Sequence, residues 1–162
     1  METIQMDTVT NPEQIITVIH AAFKRYETDP MPSSALNETS ATIDCELQAG
    51  IVILGAYVDA QLVGVVKVHI GENDCYFSRL AVLPSFQGKG IGSCLVRAIE
   101  TIVGEKQINR IQCKVRKSET NNIHFYQKIG YKVIEEQFTT SPSGFTMPTF
   151  LMEKSVFREP LT

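Results

Sequence analysis

Three glycines within five residues, Gly88, Gly90 and Gly92, stand between an apolar run, Leu80-Ala81-Val82-Leu83, and an amphipathic stretch that begins at Ile91. Glycines at this spacing let the main chain approach a ligand with no Cβ in the way. A helix starting there aims its first N–H groups and its positive dipole end at the same point. The chemistry is anion binding, with a phosphate as the obvious guest, and Gln87, Gly88, Lys89, Gly90, Ile91 and Gly92 are the residues that would provide it. Ile91, Cys94, Leu95, Ala98, Ile99, Ile102 and Val103 recur at helical spacing, Arg97 and Glu100 fall on the other face, and Gly104 reads as the stop.

Spacing separates the phosphate loops that compete for this turn. A Walker loop needs Gly-Lys followed by Ser or Thr, and here Lys89 is followed by Gly90. A dinucleotide fingerprint wants glycine where Ser93 stands and an acidic residue after the next strand, where the chain has Lys114, Val115, Arg116 and Lys117. The run Gln-Gly-Lys-Gly-Ile-Gly, after an apolar strand and Pro84, resembles instead the pyrophosphate loop of the GCN5-related N-acetyltransferase (GNAT) family, Gln/Arg-x-x-Gly-x-Gly/Ala, filled by Gln87, Gly90 and Gly92. A later segment, Phe125-Tyr126-Gln127-Lys128-Ile129-Gly130-Tyr131, resembles that family's Phe-Tyr-x-x-x-Gly-Phe/Tyr motif in the expected order.

The resemblance implies acetyl-CoA as cosubstrate and transfer of its acetyl group to a primary amine by direct attack in a ternary complex. Main-chain groups of Leu80, Ala81 and Val82 would receive the pantetheine arm as an added strand would, and amides from Gln87 to Gly92 would hold the pyrophosphate. An N–H near Val82 would stabilise the oxyanion, while the side chains of 80–82 are explained equally well as core. Tyr126 takes the family's general-acid place opposite the coenzyme sulfur; outside this motif, a tyrosine beside Ile123 is more often core. Many relatives carry a glutamate on the strand before the loop, but Tyr76-Phe77-Ser78-Arg79 has no carboxylate, which leaves water-mediated proton abstraction, capture of the free amine, or His69, Glu72 or Asp74 as base. Where many relatives place a coenzyme-binding asparagine, seven residues before the tyrosine, this chain has Glu119, with Asn122 as substitute or simple helix-capping residue. The missing carboxylate favours one alternative, a CoA-binding regulatory module without turnover. A nucleotide-binding α/β protein is a third reading.

Composition narrows the setting. A chain of 162 residues with 43% hydrophobic content suits a single domain, 1–162. Net charge −3 argues against a nucleic-acid or anionic-membrane partner, and no apolar run approaches the roughly 18 residues of a membrane span. Cys45, Cys75, Cys94 and Cys113 form no C-x-x-C pair and sit in apolar or alternating elements, as buried reduced thiols do; the expected location is cytoplasmic. His20, His69 and His124 are too scattered for a metal site, so none is expected. The expected partner is a small-molecule or peptide amine, with a homodimer as a further option. Glu27, Asp29 and Glu38 would suit a cationic acceptor, although solvated charge explains them too.

The elements that must position these residues follow from pattern. A strand over 3–9 precedes a helix capped by Asn11 and opened by Pro12, with Ile15, Ile19, Ala22, Phe23 and Tyr26 on one face. Asp29-Pro30-Met31-Pro32 breaks it, and a second helix runs to about Ala49. Strands over 51–58 and 62–70 flank Asp59-Ala60-Gln61 as a hairpin, and 75–82 continues the meander into the glycine loop. Beyond the loop helix come a strand at 110–115, a helix at 121–129, and strands at 131–138 and 146–154 around Ser141-Pro142-Ser143-Gly144. The expected fold class is α/β, GNAT-like, with a mixed, mostly antiparallel sheet and helices on both faces.

Overall fold

The computed structural model describes residues 3–28, 33–140 and 144–156. Its order is β1 (Ile4–Thr8), α1 (Pro12–Phe23), α2 (Ser40–Gln48), β2 (Val52–Val58), β3 (Gln61–Ile70), β4 (Asp74–Val82), α3 (Ile91–Glu105), β5 (Arg110–Arg116), α4 (Thr120–Lys128), β6 (Lys132–Thr140) and β7 (Thr146–Ser155). Short 3₁₀ turns occupy Lys24–Tyr26, Ser34–Asn37 and Pro84–Phe86. The seven strands are ordered β1-β2-β3-β4-β5-β7-β6. β1–β2, β2–β3, β5–β7 and β6–β7 are antiparallel, and β4–β5 is parallel. A parallel pair cannot be joined by a tight turn, so the chain between β4 and β5 must cross over, and it does so through the glycine loop and α3. The expected mixed, mostly antiparallel sheet is observed.

The chain divides into two compact units, Met1–His69 with Phe77–Ile99, and Ile70–Tyr76 with Glu100–Thr162. In the first, Val9, Ile15, Ile16, Val18, Ile19, Ala35, Ile43, Ile53, Val65 and Ala81 form one buried cluster. The α1 face is the one its spacing predicts. Asn11 caps it by accepting the Gln14 N–H at 3.2 Å, with Pro12 just behind, and the turn at Lys24–Tyr26 carries Tyr26 inward as well. α2 opens on a capping box in which Thr39 and Thr42 bond each other's main chain. The β2–β3 link is tighter than expected. Gln61 pairs with Val58, so only Asp59 and Ala60 turn the chain, both at positive φ (50° and 65°), the geometry of a two-residue turn matched to strand twist.

In the second unit, Cys75, Val103, Ile108, Ile111, Cys113, Val115, Ile123, Tyr126, Tyr131 and Met152 are buried. α3 does not stop at Gly104. It continues to Glu105, and the left-handed residue is Gln107, at φ 58°. The Ile108 N–H bonds the Val103 carbonyl and the Gln107 N–H bonds the Gly104 carbonyl, while Val103 and Ile108 bury their side chains. That Schellman closure sets the helix end by an apolar pair, overriding the glycine signal. The thiols also divide: Cys75 and Cys113 are buried, Cys94 is half-buried, and Cys45 is exposed, contrary to the expectation that all four are interior. Cys45 lies on α2, where Ile43 is the only side chain that is fully buried.

Candidate active site

In the first unit, β4 leads into the phosphate-loop candidates. Ala81 is buried and belongs to the core cluster, while Leu80 and Val82 are half-buried, so the side chains at 80–82 do serve packing. The Leu83 N–H reaches the Val63 carbonyl at 2.8 Å, which ties the strand end to β3. After the turn at Pro84–Phe86, the Gln87 side-chain amide donates to the Val82 carbonyl at 3.1 Å, folding the loop back onto the strand that precedes it. Gly88 and Gly90 have φ of 77° and 80°, in the left-handed region that costs an L-residue about 1 kcal/mol or more, and a Cβ on either would meet nothing within 4 Å. Conformation, and not crowding, demands glycine there. Lys89 is exposed, with its ammonium 5.2 Å from the Phe86 ring centroid.

α3 starts at Ile91, whose side chain is buried, and its first full helical turn closes with the Cys94 N–H on the Gly90 carbonyl at 3.1 Å. The amides of Ile91, Gly92 and Ser93 precede that bond and have no intrahelical acceptor. The helix packs closely on β3, since a Cβ on Gly64 would come within 3.1 Å of side-chain carbons of both Ile91 and Leu95. Thus the structure brings Val82, Gln87, Gly88, Lys89, Gly90, Ile91 and Gly92 into one strand–loop–helix unit, as the sequence order requires.

The same unit holds a charged cluster that the sequence reading did not single out. Lys67, 3% exposed on β3, bonds the carboxylates of Glu38 and of Glu46, the latter at 2.6 Å. Arg79 Nε bonds the other oxygen of Glu38 at 2.9 Å, and its Nη2 bonds Ser34 Oγ at 2.8 Å. Arg79 itself sits at φ 54° within β4, a left-handed backbone that is unusual for arginine. The Glu38 carbonyl bonds His20 Nε2 at 2.8 Å. Residues 33–38, between the first two helices, are therefore fastened to α1, β3 and β4. The available signal was a lone lysine in Leu62-Val63-Gly64-Val65-Val66-Lys67-Val68, since a buried ammonium must find carboxylates. Glu38, expected as a ligand for a cationic acceptor, has its carboxylate between Lys67 and Arg79. Glu27 is exposed, and Asp29, the other acceptor candidate, lies outside the described residues along with Pro30, Met31, Pro32, Ser141, Pro142 and Ser143.

In the second unit, Tyr126 is 9% exposed near the end of α4. Its carbonyl accepts the Tyr131 N–H at 2.9 Å, the Gln127 carbonyl accepts the Gly130 N–H at 3.1 Å, and Gly130 has φ 103°. These are the two bonds of a Schellman cap, so the spacing Tyr-x-x-x-Gly-Tyr is the spacing of a helix end: third-from-last residue, left-handed glycine, then the residue that folds back. The Tyr126 ring meets Tyr131 edge-on, centroids 5.9 Å apart at 67°, and Phe125 at 5.0 Å and 68°. Such edge-to-face pairs hold ring orientation as well as burying area.

Glu119 is the residue before α4 and makes no side-chain cap, Asn122 is half-buried in the first turn, and His124 is exposed. Glu72 and Asp74 are exposed in the β3–β4 turn, where the Gly71 N–H bonds the Asp74 carbonyl, and His69 is half-buried at the end of β3. Burial pushes the Cys75 thiol up to about 11, with the Asp74 charge adding to it, and pushes Cys113 to about 12. Neither is a nucleophile near neutral pH. Among the described residues, no three His, Cys, Asp or Glu side chains are grouped to hold a metal ion, and no helix is long and apolar enough to cross a membrane.

Comparison with known proteins sets this geometry among relatives. The chain is 32% identical over 97 residues to the spermidine N(1)-acetyltransferase of Thermoplasma acidophilum, covering 60% of this chain and 58% of that protein. It spans less than two thirds of the length of the curated relatives it matches first. Its fold is that of the PaiA N-acetyltransferase of Thermoplasma acidophilum, solved in complex with coenzyme A, with a TM-score of 0.76 at 23% identity over 94% of this chain and 99% of the other. It is also that of the ribosomal-protein-S18-alanine N-acetyltransferase of Escherichia coli, with a TM-score of 0.77 at 14% identity over 100% and 99%. The model of the Acetyltransferase (GNAT) family matches residues 16–131, a span that contains both the glycine loop and the Tyr126 cap, and the chain belongs to that family.

Proposed function

We propose that this chain is an acetyl-CoA-dependent N-acetyltransferase that moves an acetyl group to a primary amine by direct attack in a ternary complex. The observation that carries the reading is the loop at Gln87 to Gly92. It has two left-handed glycines beside open space, a side-chain bond that folds it onto the end of β4, and a buried helix start behind it, all inside a family match that runs on to Tyr131. Main-chain amides there suit a pyrophosphate without help from a cationic side chain. The main chain of Leu80, Ala81 and Val82 receives the pantetheine arm, and Asn122 contributes on the coenzyme side.

Amine attack on the thioester produces a tetrahedral oxyanion, met by a main-chain N–H near Val82; collapse expels a thiolate, to which the Tyr126 phenol gives its proton. Tyr76 to Arg79 of β4 carry no carboxylate to take the amine proton, so attack draws on the neutral fraction of the amine, on a water relay, or on His69, Glu72 or Asp74 as base. That same absence favours a second reading, a coenzyme-binding module without turnover.

Two measurements test the proposal. Acetyl-CoA should raise the melting temperature of the parent, and Gly90→Asp should abolish that rise, because aspartate at φ 80° is strained and its carboxylate opposes the pyrophosphate. A variant stabilised like the parent would sink the loop assignment. Release of CoA thiol with spermidine, an alanine-led peptide and an aminoglycoside then separates the two readings: coenzyme-dependent stabilisation without thiol release from any of the three supports the binding module.

A further inference from the structure

Both buried tyrosines of α4 and its cap belong to one bonded assembly in the second unit. The Tyr131 ring, 1% exposed, is fixed at three places: its main-chain N–H on the Tyr126 carbonyl, its face and edge against the Tyr126 ring, and its hydroxyl donating to Glu100 Oε2 at 3.3 Å. The other oxygen of Glu100 accepts from Lys154 Nζ at 3.1 Å. Lys154 Nζ also donates to the Ile129 carbonyl at 2.8 Å and lies 5.8 Å from the Tyr131 centroid. A lysine there satisfies one of the last orphan carbonyls of α4 and complements the negative end of its dipole.

The fit around this lysine is close. A Cβ on Gly130 would lie 3.0–3.3 Å from Lys154 Cε, Cδ and Nζ, so the stem of Lys154 runs directly against the left-handed turn that closes the helix. Removal of the Tyr131 hydroxyl would leave ring packing intact, so packing alone does not call for tyrosine at 131. With it, the ring is anchored at both ends, through the backbone to Tyr126 and through oxygen to Glu100. Burial pushes the Tyr131 phenol up, and Glu100 adds to this, which favours the protonated hydroxyl as a donor.

We propose that Tyr131, Glu100 and Lys154 are positioning residues for the phenol of Tyr126, holding the ring at the angle from which its hydroxyl meets the departing sulfur. The inference rests on the reading of Tyr126 as the general acid and adds to it the device that aims the acid. An acid loses most of its effect when displaced by an ångström, so fixing the ring edge-on between Phe125 and Tyr131 is worth more in rate than in stability.

A double-variant cycle tests it. Single-turnover acetyl transfer from acetyl-CoA is measured with the best of the three amines named above, alongside CoA affinity and melting temperature, for the parent, Tyr131→Leu, Tyr131→Phe, Tyr126→Phe and the Tyr131→Leu, Tyr126→Phe pair. The expected result is a fall of about tenfold for Tyr131→Leu with CoA affinity unchanged, a smaller fall for Tyr131→Phe, and no further fall when Tyr131→Leu is added to Tyr126→Phe. A tenfold fall that persists in the Tyr126→Phe background makes Tyr131 an ordinary core residue and overturns the inference alone. A Tyr126→Phe rate equal to the parent's overturns the acid assignment, and the inference with it. If Tyr131→Leu does not fold, Lys154→Met runs through the same cycle against the same criteria, because its side chain is 27% exposed and its loss costs the fold little.

Discussion

In the first unit Lys67 is 3% exposed between two carboxylates, with Arg79 on the far oxygen of one of them; in the second, Lys154 is 27% exposed and reaches one carboxylate and one main-chain carbonyl. Both lysines bridge elements distant in sequence, yet their energetics differ. A buried ammonium must be fully compensated, and taking away a partner strands charge in a medium that cannot solvate it. A half-wet pair is screened by water and contributes little to stability, so what it supplies is geometry. The first knot is thus a structural fastening for residues 33–38 against β3 and β4, and the second is an alignment of one ring.

The largest expected effect tests the first half of that contrast. Glu38→Ala should cost about 3 kcal/mol of unfolding free energy, read from denaturant midpoints, because Lys67 and Arg79 both lose a carboxylate. A loss under about 1 kcal/mol would mean that water or Glu46 compensates Lys67, and the two knots would then be of one kind. Tyr126→Phe should lower the single-turnover rate on the order of a hundredfold, the usual size of a general-acid contribution. An equal rate would return thiolate release to water or the main chain.

Proton linkage sharpens the comparison from another side, since Cys75, Cys113 and Tyr131, the groups that burial raises, all lie in the second unit. In the unfolded chain the thiols ionise from about pH 9, while the folded state holds their protons to about 11 and 12. Stability is therefore fully present below pH 9 and is lost as pH rises through 11 and 12. Amide exchange should accelerate first in the second unit, and Cys113→Ala should flatten the dependence; simultaneous loss in both units would show that they open as one. The smallest effect is expected for Lys154→Met, at most about 1 kcal/mol of stability, against its larger effect on rate. A stability loss matching that of Glu38→Ala would erase the distinction.

Local rules made most of this molecule legible. The Asn11-Pro12 start of α1, the left-handed glycines of the loop and the glycine-closed end of α4 were all written in residue types, because caps and turns demand particular side chains and backbone freedom. The start of α3 directly after the glycine loop was legible for the same reason. Three features were not. Gly104 was outweighed by the apolar pair Val103–Ile108, which carries α3 one residue past the expected stop, to Glu105. Cys45 turned outward because α2 buries little beyond Ile43. The Lys67–Glu38–Arg79 cluster joins residues 29 and 41 positions apart, and no periodicity reports which distant charges will meet.

The closure of α4 by Tyr126, Gly130 and Tyr131 has a consequence for how such chains diverge. Main-chain bonds, ring contacts and the left-handed backbone of Gly130 close the helix. Selection for a foldable chain therefore preserves the whole six-residue signature whether or not thioesters are turned over. A descendant that gave up acyl transfer would keep its glycine and both aromatic rings. Under the proposed role of Tyr126, its hydroxyl is the part of this signature that acyl transfer selects.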